Sequence, residues 1–267
     1  MISLSHAFGL SGEPFLQDIP PEKLFPLPGL KSFLERFDYA LHIGAISVIT
    51  GEVGSGKSTS LRAAAARLHP AQHILIPLVA SSGSALEFLR QLALQLGAPP
   101  LSSSISRMLK AIQELLATAL AKKLRPLIII DEAHLLRLEL LAQLHALLQL
   151  PYDQKSLVPL ILSGQNLLID RLLYHTSHPF SSRIVGRTLL QGLKLDDMRG
   201  YLQHHLQIVG GDPQLFGEEA ITAIHQSSAG LLRRANHLAR GALLAAATER
   251  APIVSAEHVR LASTEIF

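Results

Sequence analysis

The stretch VITGEVGSGKSTSLRAAAARL, Val48 to Leu68, sets a glycine-rich loop between an apolar run and an alanine-rich segment. Gly51, Gly56, Lys57 and Ser58 fall on the spacing G-x-x-x-x-G-K-[ST], in the context that pattern requires, a strand before and a helix after. The glycines permit backbone conformations that a Cβ would forbid, so successive N–H groups can turn inward around a phosphate. A helix starting near Gly56 adds the positive end of its dipole. The expected phosphate cradle is therefore Gly51, Glu52, Val53, Gly54, Ser55, Gly56, Lys57, Ser58 and Thr59. Lys57 would reach the β- and γ-phosphates of a nucleotide, and the Ser58 hydroxyl would bind Mg²⁺. The plain alternative, a glycine turn with an incidental lysine, explains neither flank.

Outward from this loop, apolar runs alternate with helical patterns. AISVIT (45–50), HILIPLV (73–79), PLIIID (126–131) and VPLILSG (158–164) are short, partly β-branched and nearly free of polar alternation. Such runs suit strands buried on both faces, as in a parallel sheet. Between them, 84–96 carries Leu86, Leu89, Leu92 and Leu96; 105–120 repeats apolar residues at three- and four-residue spacing; and 141–150 reads as another helix. The alternation predicts an α/β core with right-handed crossovers. After about Leu190 the segments LDDMRGYLQHHLQIVG, GEEAITAIHQSSAG, LLRRANHLARGALLAAATER and SAEHVRLASTEIF all read as helices. The expected organisation is an α/β core over 1–190, with an N-terminal clasp segment, and a helical lid over 191–267. PPLSSS (99–104) reads as a loop.

A phosphate loop needs an acidic partner at a neighbouring strand end, and LIIIDEAH supplies it. Asp131 would hold Mg²⁺, directly or through water, and Glu132 is placed to polarise an attacking water. Alone, the Asp-Glu pair reads equally well as an acid-rich helix start; paired with the loop, it reads as catalytic. His134 reads more readily as a helix-start residue than as a catalyst.

The 267 residues are 48% hydrophobic, enough for a substantial core, and the net charge is only +3. Up to His175 there are 15 basic and 13 acidic residues, and beyond it 9 and 8, so neither half is a basic tail. A nucleic-acid surface would have to be a local patch. Lys122, Lys123 and Arg125, with Lys155, are candidates, although charges at such places are usually solvated strand-end residues. With 5% aromatic residues and no recognisable readout motif, backbone binding is the expectation. There is no cysteine, and the 13 histidines show no metal-binding spacing. No basic-then-apolar leader and no run near ~18 apolar residues appears, which predicts a soluble, cytoplasmic chain without a membrane partner.

Together these residues resemble an AAA+ ATPase, and more closely the ATPases related to the secretion-pathway A protein, the ExeA-type group. FGLSGEPF (8–15), TGEVGSGKST (50–59), IIIDEAHLL (128–136), LSGQ (162–165), SSRI (181–184) and GLLRRAN (230–236) carry the likeness, with Leu232 standing where the group usually has proline. The resemblance extends to transposition regulators of the MuB, TniB and TnsC type. It implies ATP and Mg²⁺ as cofactors, and ATP hydrolysis. Ser163 or Gln165 would be the sensor that positions the water. Arg183, with Arg187 as a rival, would be the finger entering a neighbour's site, and Arg233 would contact the γ-phosphate of its own nucleotide. Residues 8–15 would line the adenine pocket or clasp the core. The resemblance further implies a homo-oligomer, ring or helical filament, and two uses. The first is assembly on double-stranded DNA to direct a transposase. The second is secretion-pathway assembly, whose members continue into a membrane span and a cell-wall-binding domain. The sequence ends at Phe267 with neither, and the expectation is therefore the transposition use.

Overall fold

The computed structural model describes residues 4–98, 104–148 and 158–264. Lys155 and the loop through residue 103 lie outside these, as do residues 149–150 of the segment expected to be helical. In chain order the strands are β1 Ile46–Gly51, β2 His73–Val79, β3 Arg125–Asp131, β4 Leu160–Gly164 and β5 Ile184–Leu190. The helices are α1 Leu4–Phe8, α2 Leu30–Ile43, α3 Lys57–Ala65, α4 Ala85–Gln95, α5 Ile105–Ala121, α6 Leu138–Leu148, α7 Leu167–Leu173, α8 His178–Ser181, α9 Leu195–Ile208, α10 Glu218–Ser228, α11 Leu232–Glu249 and α12 Ala256–Thr264. Short 3₁₀ turns cover Pro21–Lys23, Ala133–Leu135 and His175–Ser177.

The chain divides into two compact units. The larger, Lys31–Gly51 with Ser60–Leu189, holds a parallel sheet in the order β2-β3-β4-β1-β5. The registers Thr50↔Gly164, Ile130↔Leu162 and Val79↔Asp131 bring the ends of β1, β4, β3 and β2 to one edge. Alternate residues Ile46, Val48, Ile76, Ile128, Ile130, Leu160 and Leu162 form one cluster with Leu89 and Leu92 of α4, Met108 and Ile112 of α5, and Leu141 and Leu144 of α6. The other face is also buried through Ile49, Leu127, Ile129 and Ile161. Hence β1, β3 and β4 carry near-continuous apolar runs, as strands covered on both sides do, with Ser47, Thr50 and Ser163 as buried polar exceptions.

Two strands depart from the sequence reading. β2 lies at an edge of the sheet and is not buried on both faces: Leu75 and Val79 are 40% and 66% exposed. β5, at the other edge, is absent from the expected strands because it alternates, with Gly186, Thr188 and Leu190 buried and Val185, Arg187 and Leu189 exposed. Period-two alternation is the signal for a half-covered strand, and a search for continuous apolar runs passes over it. α2 packs close to β5, since a Cβ on Gly186 would stand 2.9 Å from Arg36 Cβ. The Arg36 guanidinium also donates to Thr188 Oγ1 at 3.3 Å.

The second unit holds α1 and the segment through Leu30, residues Glu52–Thr59, and α9 to α12. Small residues let its helices approach: Ala235, Ala239, Ala242 and Ala246 of α11 are fully buried, and a Cβ on Gly241 would lie 2.7 Å from Ala262 Cβ on α12. The N-terminal segment clasps this bundle. Phe15 stacks on His205 of α9 at 5.2 Å and meets Phe216 edge-on at 5.9 Å. The Lys23 carbonyl lies 2.8 Å from His204 Nε2.

Burial, with the neighbouring His204, lowers the His205 pKa to about 4. The folded protein therefore keeps this ring neutral, whereas the unfolded chain protonates it near its ordinary value of about 6.5. Between these values the unfolded state binds more protons, so stability falls as pH drops from about 6.5 towards 4. The full contribution is at most about 3 kcal/mol. Urea midpoints for wild type and His205→Phe, measured from pH 7 to pH 5, should diverge, with the variant losing the steeper part of the decline. Parallel curves would assign the acid sensitivity elsewhere.

Candidate functional site

β1 ends at Gly51, and the chain turns from it through the glycine loop into α3, which starts at Lys57. Gly54 and Gly56 adopt φ of +84° and +98°, a region that side chains bearing a Cβ rarely enter. Space forbids a Cβ as well. On Gly54 it would lie 2.8 Å from Arg233 Cβ, and on Gly56 2.7 Å from Leu27 Cδ1 and 3.0 Å from Leu232 Cδ1. The Arg233 N–H points at the Gly54 carbonyl at 3.4 Å. The first turn of α11 thus lies against the phosphate loop, and Arg233 stands there with an exposed side chain. Leu232 fills the place of the usual proline while keeping Arg233 in that position.

Lys57 is 93% buried by surface, and its ammonium donates to the Glu52 carbonyl across the loop at 3.0 Å. Ser55 Oγ is buried in the same loop without a hydrogen-bond partner. Ser58, on the first turn of α3, is exposed. An orphaned hydroxyl, glycines in the left-handed region, a buried cation and the N-terminus of a nine-residue helix fit the phosphates of ATP.

At the same edge of the sheet, β3 ends at Asp131 and β4 at Gly164. Asp131 Oδ1 accepts from Ser163 Oγ at 2.7 Å and from the Glu132 N–H at 2.9 Å. A carboxylate oriented in this way suits a hard divalent ion such as Mg²⁺. Of the two sensor candidates, Ser163 is fully buried and spends its hydroxyl on Asp131, while Gln165 is half-buried just beyond the strand. Glu132 takes a left-handed backbone, φ 53°, which turns its carboxylate out of the strand path, with a side chain 43% exposed. Ligands of open parallel sheets bind at this carboxyl edge.

Arg183 is elsewhere. Its carbonyl accepts from the N–H of Ile46, at the start of β1, and its guanidinium donates to the Leu148 carbonyl at 3.3 Å. Five residue steps of β1 separate it from Gly51, about 17 Å along the strand. Arg187 is exposed on β5 beside a cavity of about 330 Å³ whose walls include Ile169, Leu172 and Leu173. Among the described residues no cluster of three or more His, Asp or Glu could hold a metal by itself, and no helix is long and apolar enough to cross a membrane.

Sequence reasoning gave three residues of this region no part in the site. Leu27 and Leu232 close on Gly56 from remote parts of the chain, which no local pattern signals. His134, read as a helix-start residue, lies in a 3₁₀ turn and is buried, with Nδ1 3.3 Å from Glu132 Oε2.

The parallel sheet, the phosphate loop and the acidic strand end define a P-loop nucleotide hydrolase. Residues 43–173 match the family described as AAA domain. This stretch, just under half of the chain, carries an ATP-hydrolysing site that binds ATP with Mg²⁺. It is similar to General secretion pathway protein A of Aeromonas hydrophila, 28% identical over 261 residues, 97% of this chain and 48% of that protein. The chain thus spans about half the length of the curated relative it matches. Its fold resembles Cdc6p from Pyrobaculum aerophilum, with a TM-score of 0.73 and 17% identity over 95% of this chain and 70% of that one. It also resembles the Aeropyrum pernix ORC1 protein in complex with DNA, with a TM-score of 0.69 and 20% identity over 94% of this chain and 68% of that one.

Proposed function

We propose that the protein is an assembly ATPase of the secretion-pathway A type, in which ATP joins copies of the chain head to tail and hydrolysis releases them. The observation that carries this reading is the likeness to the Aeromonas protein, which runs through 97% of the chain and so extends beyond the AAA domain into the C-terminal helices. Gly51 to Thr59 hold the phosphates, Lys57 neutralises them, and Ser58 and Asp131 bind Mg²⁺. Glu132 polarises the attacking water, Ser163 fixes Asp131, and Gln165 senses the γ-phosphate. Arg233, beside Gly54, contacts the γ-phosphate of its own nucleotide. Arg183 lies at the start of β1, about 17 Å along that strand from Gly51, which supports its role as a finger in a neighbour's site. Such a contact joins unlike faces, and it repeats as a ring or a helix. The work is cytoplasmic, where ATP is supplied.

Sedimentation with ATP, with ADP and with Arg183→Ala tests the assembly. Large species should form with ATP only, and the variant should remain small. Assembly indifferent to nucleotide would sink the proposal, and loss in Arg187→Ala alone would move the finger to that residue.

A second reading, a DNA-binding regulator of a transposase, draws on the ORC1 structure, solved with DNA. Lys122, Lys123 and Arg125 also support it, being exposed where the chain enters β3, at the edge opposite Asp131. On this reading duplex DNA of any sequence binds with ATP, and the affinity falls steeply with salt as counterions are released. A salt titration with ATP and with ADP separates the two uses. No binding at low salt with ATP removes the DNA and transposase partners and leaves the ATPase intact.

A further inference from the structure

His134 is the least explained polar group near the acidic strand end. It is 7% exposed, in the turn Ala133–Leu135 that follows Glu132. The end of β4 fixes it tightly: a Cβ on Gly164 would lie 3.0 Å from the His134 backbone nitrogen and 3.4 Å from its Cβ. Glycine at 164 is thus needed for space, which lets the imidazole lie against the strand.

One ring nitrogen faces two groups. Nδ1 stands 3.3 Å from Glu132 Oε2 and 3.4 Å from the N–H of Gln165. These partners require opposite states of the same atom. With its hydrogen on Nδ1 the ring donates to the Glu132 carboxylate. With its hydrogen on Nε2, Nδ1 accepts from Gln165 and offers the carboxylate only a lone pair. A bond to one partner therefore excludes the bond to the other.

We propose that His134 is a positioning residue for Glu132, holding its carboxylate through Nδ1 and releasing it when the Gln165 backbone takes that nitrogen. The ring links the end of β4, where a γ-phosphate would be sensed, to the group that polarises water. It touches neither nucleotide nor metal in this role. The inference rests on Glu132 being the base.

The test is steady-state ATP hydrolysis by the full chain, with nucleotide affinity read separately from a fluorescent ATP analogue. His134→Ala should lower kcat about tenfold and leave KM and analogue affinity within about twofold, because only the orientation of Glu132 is lost. His134→Asn puts an amide near the position of Nδ1 and should recover most of kcat. In a Glu132→Gln background, His134→Ala should cost nothing further, because it acts through the missing carboxylate. An unchanged kcat in His134→Ala would overturn the proposal. So would a full additional tenfold loss in the double variant, or an asparagine variant as slow as alanine with normal analogue binding. If Glu132→Gln alone hydrolyses ATP at the wild-type rate, the base assignment itself fails, a result distinct from these.

Discussion

Lys57→Ala abolishes nucleotide binding: in a titration with a fluorescent ATP analogue the variant should show no saturable signal at concentrations that saturate the wild type. The physical reason is that this ammonium is the cation built into the loop. It is held almost wholly out of water, 7% exposed, and bonded to the Glu52 carbonyl at 3.0 Å. A charge buried this deeply has kept little of its hydration, so the incoming phosphates gain its field with little further desolvation. Alanine leaves the loop amides and the start of α3, which orient phosphates without neutralising them. Retained wild-type affinity would remove the phosphate-loop assignment, and with it every role given to the residues around it.

Glu132→Gln gives the second large effect, on a different quantity. Affinity for the analogue should stay at the wild-type value while turnover drops by about two orders of magnitude or more, because an amide cannot take a proton or polarise water as a carboxylate does. The left-handed backbone at Glu132 is set by main-chain contacts: its N–H donates to Asp131 Oδ1, and its carbonyl accepts from Leu135 at 2.8 Å. Glutamine keeps both, so the loss reads chemistry and not misfolding. If ATP joins the subunits, the same variant should make the assemblies longer-lived, since the step that releases them is blocked. Hydrolysis at the wild-type rate would send the search for the base to another residue.

The phosphate loop was legible from Val48 to Leu68 because its chemistry is local. Glycine spacing, one lysine, a strand and a helix all lie within one short stretch, and the backbone that wraps a phosphate is made by the stretch itself. Asp131 and Glu132 were legible for the same reason, as acids closing the apolar run Leu127–Ile130. Runs such as Leu127–Ile130 and Leu160–Leu162 declared the covered strands, because a strand buried on both faces can be apolar at successive positions. The two edge strands answer to a different condition. Which strand lies at an edge is decided by strand order, a non-local property, and the edge then determines whether an alternating segment such as Ile184–Leu190 is a strand at all. Contacts between distant parts of the chain escaped the sequence altogether. The first turn of α11 against Gly54, Leu27 over Gly56, Ser163 on Asp131, and His134 between Glu132 and Gln165 each join residues whose separation along the chain carries no period. Local residue chemistry determined what this protein can bind. The folding of remote segments onto one another decided which side chains meet.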